Sequence, residues 1–150
     1  MFLVSGGVGP RFVSAIQTQG SYRGTKGSWR QDPTLSGGGQ LWDSGSHLMD
    51  IIYWISGLKP VEVFSYANQF DTRVDIPDSL SIKYRNGALA SVAIVRHANA
   101  FHEEITMGCD KGAILIGRGG QPNSVSNSHT SHKNTGRMLP SQAHCSQNSS

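Results

Sequence analysis

One apolar stripe constrains the fold more than any other feature. Leu48, Ile51, Ile52 and Ile55 fall at i, i+3, i+4 and i+7, which gathers them on one face of an α-helix, about 100° wide. The spacing predicts a helix over Ser44–Ser56. Asp43 or Ser44 can cap its start by accepting a backbone N–H. Gly57 suits the left-handed position after its end, and Pro60 forbids continuation. Strands follow. Val61–Gln69 is rich in β-branched and aromatic residues. Leu80–Tyr84 and Leu89–Val95 flank Asn86-Gly87, a pair suited to the positive φ angles of a type I′ turn. Phe101–Met107 and Ala113–Ile116 flank Asp110-Lys111-Gly112, a second hairpin signal. One helix followed by about five strands, with no βαβ alternation, predicts an α+β domain: an open, mostly antiparallel β-sheet with helix packed on one face.

The 150 residues divide into three zones. Residues 1–19 read as an irregular lead-in, with a Gly6-Gly7-Val8-Gly9 turn and a helix around Phe12–Gln17. Residues 20–117 carry nearly all the patterned hydrophobicity. Residues 118–150 shift to Ser, Asn, Gln, His and Gly, with only Val125, Met138 and Leu139 as sizeable apolar side chains. Such a segment cannot offset roughly 1–2 kcal/mol of backbone entropy per ordered residue, so a disordered tail is expected. Its His129, His132 and His144 have no carboxylate or CxxC partner nearby and do not read as a metal site.

Charge excludes further classes. The net charge is +3, yet all ten acidic residues lie at or before Asp110, while Arg118, Lys133 and Arg137 lie in the tail. The remainder therefore carries ten charges of each sign, with no basic face for nucleic acid. Two Cys, Cys109 and Cys145, make no disulfide framework, and a reducing, cytoplasmic setting is the default. No run approaches the roughly 20 apolar residues that span a bilayer, and Met1–Val4 is too short for a signal peptide. Asp71, Asp75 and Asp78 lack the spacing of a Ca²⁺ loop. His102-Glu103-Glu104 reads as an exposed strand edge.

Chemistry concentrates at the helix start. Gly37-Gly38-Gly39 places bare backbone where something approaches closely or φ is positive. Asp43 and His47, four residues apart, lie one turn above each other on a helix. A His beside a carboxylate can accept or donate a proton near neutral pH. Read alone, the same spacing is more often an N-cap and a surface histidine than a catalytic pair.

The wider context resolves this. Trp29-Arg30-Gln31-Asp32, the triple glycine, then Asp43-Ser44-Gly45-Ser46-His47-Leu48-Met49-Asp50 and Trp54-Ile55-Ser56-Gly57 resemble the Gfo/Idh/MocA oxidoreductase family: W-R-x-D, Gly-Gly-Gly, D-x-G-x-H-x-x-D and W-x-x-G. Asn86-Gly87 and Gly108–Ala113 resemble that family's later strands. The resemblance covers about Gly20–Ile116 and concerns the C-terminal domain. It implies two-domain enzymes that move a hydride between NAD or NADP and a sugar, cyclitol or related polyol. A Rossmann domain holds the cofactor. The C-terminal domain supplies part of the substrate pocket and, through its sheet face, a homo-oligomer interface. By the same resemblance His47 is the proton acceptor, Asp43 binds a neighbouring hydroxyl, Arg30 lies close to substrate, and Asp50 is structural.

The sequence departs from the family in two places. Gly7-Val8-Gly9-Pro10-Arg11-Phe12 puts Phe where the third glycine of G-x-G-x-x-G belongs, and no βαβ unit surrounds it. The E-K-P motif with the family's catalytic Lys is absent. The expectation is therefore a substrate-binding, catalytic-half domain, as from a truncated reading frame, that is inactive as an isolated chain. The competing expectations are a non-catalytic carbohydrate-binding or self-association domain, and a member that cleaves glycosides through transient oxidation.

Overall fold

The computed structural model describes residues 9–119. Its strands are β1 (Pro10–Thr18), β2 (Pro60–Ala67), β3 (Pro77–Tyr84), β4 (Leu89–Val95), β5 (His102–Cys109) and β6 (Gly112–Gly119). Between β1 and β2 lie a 3₁₀ turn (Trp29–Gln31), the short helix α1 (Pro33–Ser36), a π-helical turn (Leu41–Gly45) and the helix α2 (Ser46–Ser56). The six strands form one sheet in the order β2-β3-β4-β1-β5-β6. Only β1 and β4 run parallel; every other pair is antiparallel. The open, mostly antiparallel sheet with helix on one face is as expected.

The helix predicted around Phe12–Gln17 is instead the centre of this sheet. Val13, Ala15 and Gln17 alternate inward, while Phe12, Ser14 and Ile16 face outward. That period of two satisfies β1 on both edges, against β4 and β5. Residues from Pro10 onward are thus part of the domain rather than a lead-in to it. At the other end, Arg118 and Gly119 complete β6 rather than opening the tail. The rest of the tail, with its three histidines, lies outside the described residues.

The core lies between α2 and the middle strands. Leu48 and Ile52 are fully buried against Val13, Val92, Ile94, Ile105 and Met107, with Ile51 and Ile55 partly buried beside them. Each buried aliphatic side chain contributes about 1.5–3 kcal/mol. Gly57 takes the expected left-handed conformation (φ 64°), and its N–H donates to Tyr53 O. A single helix cannot cover six strands, so Val63 on β2 and Ile114 on β6 stay exposed on the helix side.

The Asn86-Gly87 turn differs from the type I′ expectation. Among its residues only Gly87 has positive φ (83°), and Gly87 N–H donates to Tyr84 O at 2.9 Å. This is the three-residue arrangement of a type I turn closed by a left-handed glycine. His102-Glu103-Glu104 is not an exposed edge either, because β5 lies between β1 and β6. Glu103 points inward, accepts from Gln17 Nε2 at 2.7 Å, and pairs with Arg118 at 3.2 Å.

Candidate functional site

The site is built where the chain turns from the triple glycine into α2. The glycines need no ligand to explain them. A Cβ on Gly39 would collide with the Asp75 backbone, and one on Gly38 would lie 2.9 Å from Trp42 Cβ. Asp75 is what approaches closely. Its carboxylate accepts from Gly39 N–H at 2.8 Å and Leu41 N–H at 3.0 Å, and its carbonyl accepts from Gln40 N–H. Three consecutive N–H groups, two on the Asp75 carboxylate and the middle one on its carbonyl, pin the loop to the segment before β3. Gly39→Ala is accordingly expected to cost about 1–3 kcal/mol or more through overpacking against backbone. Chemical denaturation checks this, and a loss below half a kcal/mol would refute the packing explanation.

Asp78, on β3, is buried beside this pair. Burial, reinforced by hydrogen bonding and charge from Asp75, pushes its carboxyl up to about 7. Asp75 is itself raised by burial, but the N–H groups of Leu41 and Gly39 and the bond with Asp78 outweigh this and hold it low. The folded protein thus binds the Asp78 proton more tightly than the unfolded chain does. Stability from this group is fully present below the ordinary carboxylate range and declines as pH rises toward about 7. Asp78→Asn, which fixes a neutral side chain there, is expected to flatten the fall in melting temperature between about pH 4 and pH 7. An unchanged slope in a thermal-melt pH series would refute the assignment.

Asp43 does not cap the helix. It lies inside the π turn, and α2 continues from Gly45 without a side-chain cap. Its Oδ2 instead takes the Arg96 guanidinium in an ion pair and lies 3.5 Å from Arg30 Nε. Arg96 is only 1% exposed, whereas Asp43 is 41% exposed. Arg96 Nε also donates to Gln40 Oε1, while its Nη1 is buried without a partner among the described residues. The second oxygen, Asp43 Oδ1, accepts no hydrogen bond from the described residues.

Asp43 and Arg30 share a cleft of about 240 Å³ with Trp29, Trp42, Ser36 and Gly38. Of the expected site residues, the structure brings these two together. His47 follows on the first turn of α2, exposed, outside the cleft lining and without an ion pair to Asp43. Asp50 is exposed further along the helix. Trp29 and Trp42 are cleft walls, but Trp54, 80% exposed, belongs neither to the cleft nor to the core.

Arg96, Gln40 and Asp75 were not anticipated. Arg96 extends the inward alternation of Ala90, Val92 and Ile94 by one step. A cation on a buried face needs an anion, and that was the available signal.

Neither glycine turn among the described residues offers a pyrophosphate the free helix N-terminus it needs: Gly9 leads into strand β1, and at the triple glycine the Gly39, Gln40 and Leu41 N–H groups are taken by Asp75.

One helix packed on an open mixed sheet, with a carboxylate, a guanidinium and two indoles lining a cleft at the helix entry, defines an α+β domain rather than a βαβ dinucleotide fold among the described residues. Residues 5–115 match the GFO/IDH/MocA C-terminal domain. The chain belongs to the Gfo/Idh/MocA family and contains that family's C-terminal domain. Similar folds occur in an oxidoreductase domain protein from Kribbella flavida (TM-score 0.67, 23% identity, covering 72% of this chain and 34% of that one). They occur also in levoglucosan dehydrogenase in complex with NADH and levoglucosan (0.65, 20%, 73% and 33%). A third is UDP-N-acetylglucosamine 3-dehydrogenase GnnA from Acidithiobacillus ferrooxidans (0.60, 15%, 73% and 33%). The chain spans about a third of the length of these proteins. No curated protein matches the sequence.

Proposed function

We propose that this chain is the substrate-binding, catalytic half of an NAD- or NADP-dependent oxidoreductase acting on a sugar, cyclitol or related polyol. The observation that carries the reading is Asp43, which lines the cleft with one oxygen unbonded among the described residues, one turn before an exposed His47 in the family's D-x-G-x-H pattern. Asp43 Oδ1 accepts from one substrate hydroxyl, Arg30 lies beside it, and His47 takes the proton of the hydroxyl being oxidised. NAD or NADP, the hydride carrier of the whole enzyme, is bound by a Rossmann domain outside residues 9–119. The neighbouring structures with NADH and with levoglucosan support a nicotinamide cofactor and a sugar substrate.

The test is direct. The purified chain, given either cofactor and a panel of polyols, is expected to produce no reduced nicotinamide. The same domain joined to a family Rossmann domain is expected to turn over. Failure of every polyol in the joined protein would refute the reading. The open sheet face, with Phe12, Ile16 and Leu89 exposed, supports self-association of copies through that face. A sedimentation profile independent of concentration would count against it. Among the described residues no helix is long and apolar enough to cross a membrane.

A further inference from the structure

The cleft beside Asp43 is unevenly charged. Arg30 and Arg96 both approach one oxygen, Asp43 Oδ2, so two guanidinium charges face a single carboxylate. The neighbouring carboxylates are engaged elsewhere. Asp32 accepts from Thr34 N–H at 3.0 Å and Thr34 Oγ1 at 2.7 Å, and pairs with Arg73. Asp75 holds Gly39 and Leu41.

The two arginines differ in availability. Arg96 is buried and bonded to Gln40 and Asp43. Arg30 is exposed, and its Nη atoms make no hydrogen bond among the described residues. Its guanidinium lies 4.6 Å from the centre of the Trp29 ring, a cation–π contact that orients the fork without occupying its donors. A planar fork with free donors fits a carboxylate through two parallel bonds. Trp29 and Trp42 offer flat apolar walls to the C–H face of a ring. At about 240 Å³ the part of the cleft formed by this domain has room for one ring.

We propose that this cleft selects an acidic sugar, a polyhydroxylated ring bearing a carboxylate, which Arg30 takes while Asp43 Oδ1 accepts from a hydroxyl. The inference rests on the polyol reading above and narrows it to a substrate class.

The test uses the whole chain carrying Trp54→Phe, so that fluorescence reports Trp29 and Trp42. It is titrated with D-glucuronate, D-glucose and acetate. At low salt, glucuronate is expected to half-saturate at a concentration about tenfold below that for glucose, the scale of a charge-assisted hydrogen bond. The gap is expected to narrow as salt rises, and acetate is expected to bind more weakly than glucuronate. Arg30→Met is expected to remove the preference and Arg30→Lys to retain part of it, with circular dichroism confirming that both variants fold. Equal half-saturation by the two sugars, a preference that survives Arg30→Met, or acetate matching glucuronate would overturn the acidic-sugar assignment and leave the polyol reading standing. Absence of any response to either sugar would overturn both.

Discussion

Replacing Asp43 with Ala is expected to destabilise the domain by about 3–5 kcal/mol, because it leaves a buried cation without its anion. An exposed carboxylate in a surface ion pair contributes about 0–1 kcal/mol, and Asp43, 41% exposed, resembles such a group when viewed alone. Its partner makes the difference. Arg96 is almost wholly removed from water and has no other carboxylate partner among the described residues. The cost of Asp43→Ala is therefore the cost of stranding Arg96. Two controls separate this from loss of local packing. Asp43→Asn, which still offers an oxygen acceptor, is expected to lose less. The double variant Asp43→Ala with Arg96→Met, which removes the stranded charge and keeps most of the side-chain volume, is expected to recover most of the stability. Urea unfolding of the unsubstituted protein, Asp43→Ala, Arg96→Met and the double variant gives the coupling directly. Additive losses in the double variant would show that Arg96 and Asp43 do not depend on each other.

The same pair shows where sequence reasoning stops. Residues that interact within one helical turn or one hairpin leave a local pattern. The α2 stripe, the glycine at its end and both hairpins of the β3–β6 region were legible for that reason. Arg96 and Asp43 are 53 positions apart, and Asp75 reaches back 36 positions to Gly39. No local period records such contacts. The triple glycine did signal a close approach, but its occupant, the Asp75 backbone, is visible only once the loop before β3 is placed.

The first strand fails differently. Pro10–Thr18 holds the β-formers Phe12, Val13, Ile16 and Thr18, yet Phe12, Ala15 and Ile16 also fit a helical spacing. Such a short segment reads both ways, and pairing with neighbours on both sides decides its state. Glu103 departs from the expected exposed edge for a related reason. A charged residue on a strand normally marks an edge, but here Gln17 across the ladder and Arg118 on β6 satisfy it in the interior. The motif around Asp43 and His47 was legible from the family resemblance, but its internal wiring was not.

That wiring decides how a second substitution should behave. His47 is exposed and makes no hydrogen bond among the described residues, so His47→Ala is expected to change stability by no more than about 0.5 kcal/mol. In the domain joined to its Rossmann partner, the same change is expected to lower kcat by about 10²–10⁴, the usual contribution of a positioned general base. The contrast with Asp43 makes the experiment interpretable. A loss of activity in an Asp43 variant mixes lost substrate contact with a stranded Arg96, whereas a loss at His47 arises in a protein that is otherwise intact. Steady-state kinetics with the preferred polyol then distinguish the roles. If kcat falls with little change in KM, His47 acts in the transition state. If KM alone rises, His47 contributes only uniform binding. An unchanged kcat and KM would remove His47 from the site altogether, and the proton acceptor would have to be sought on the Rossmann side of the cleft.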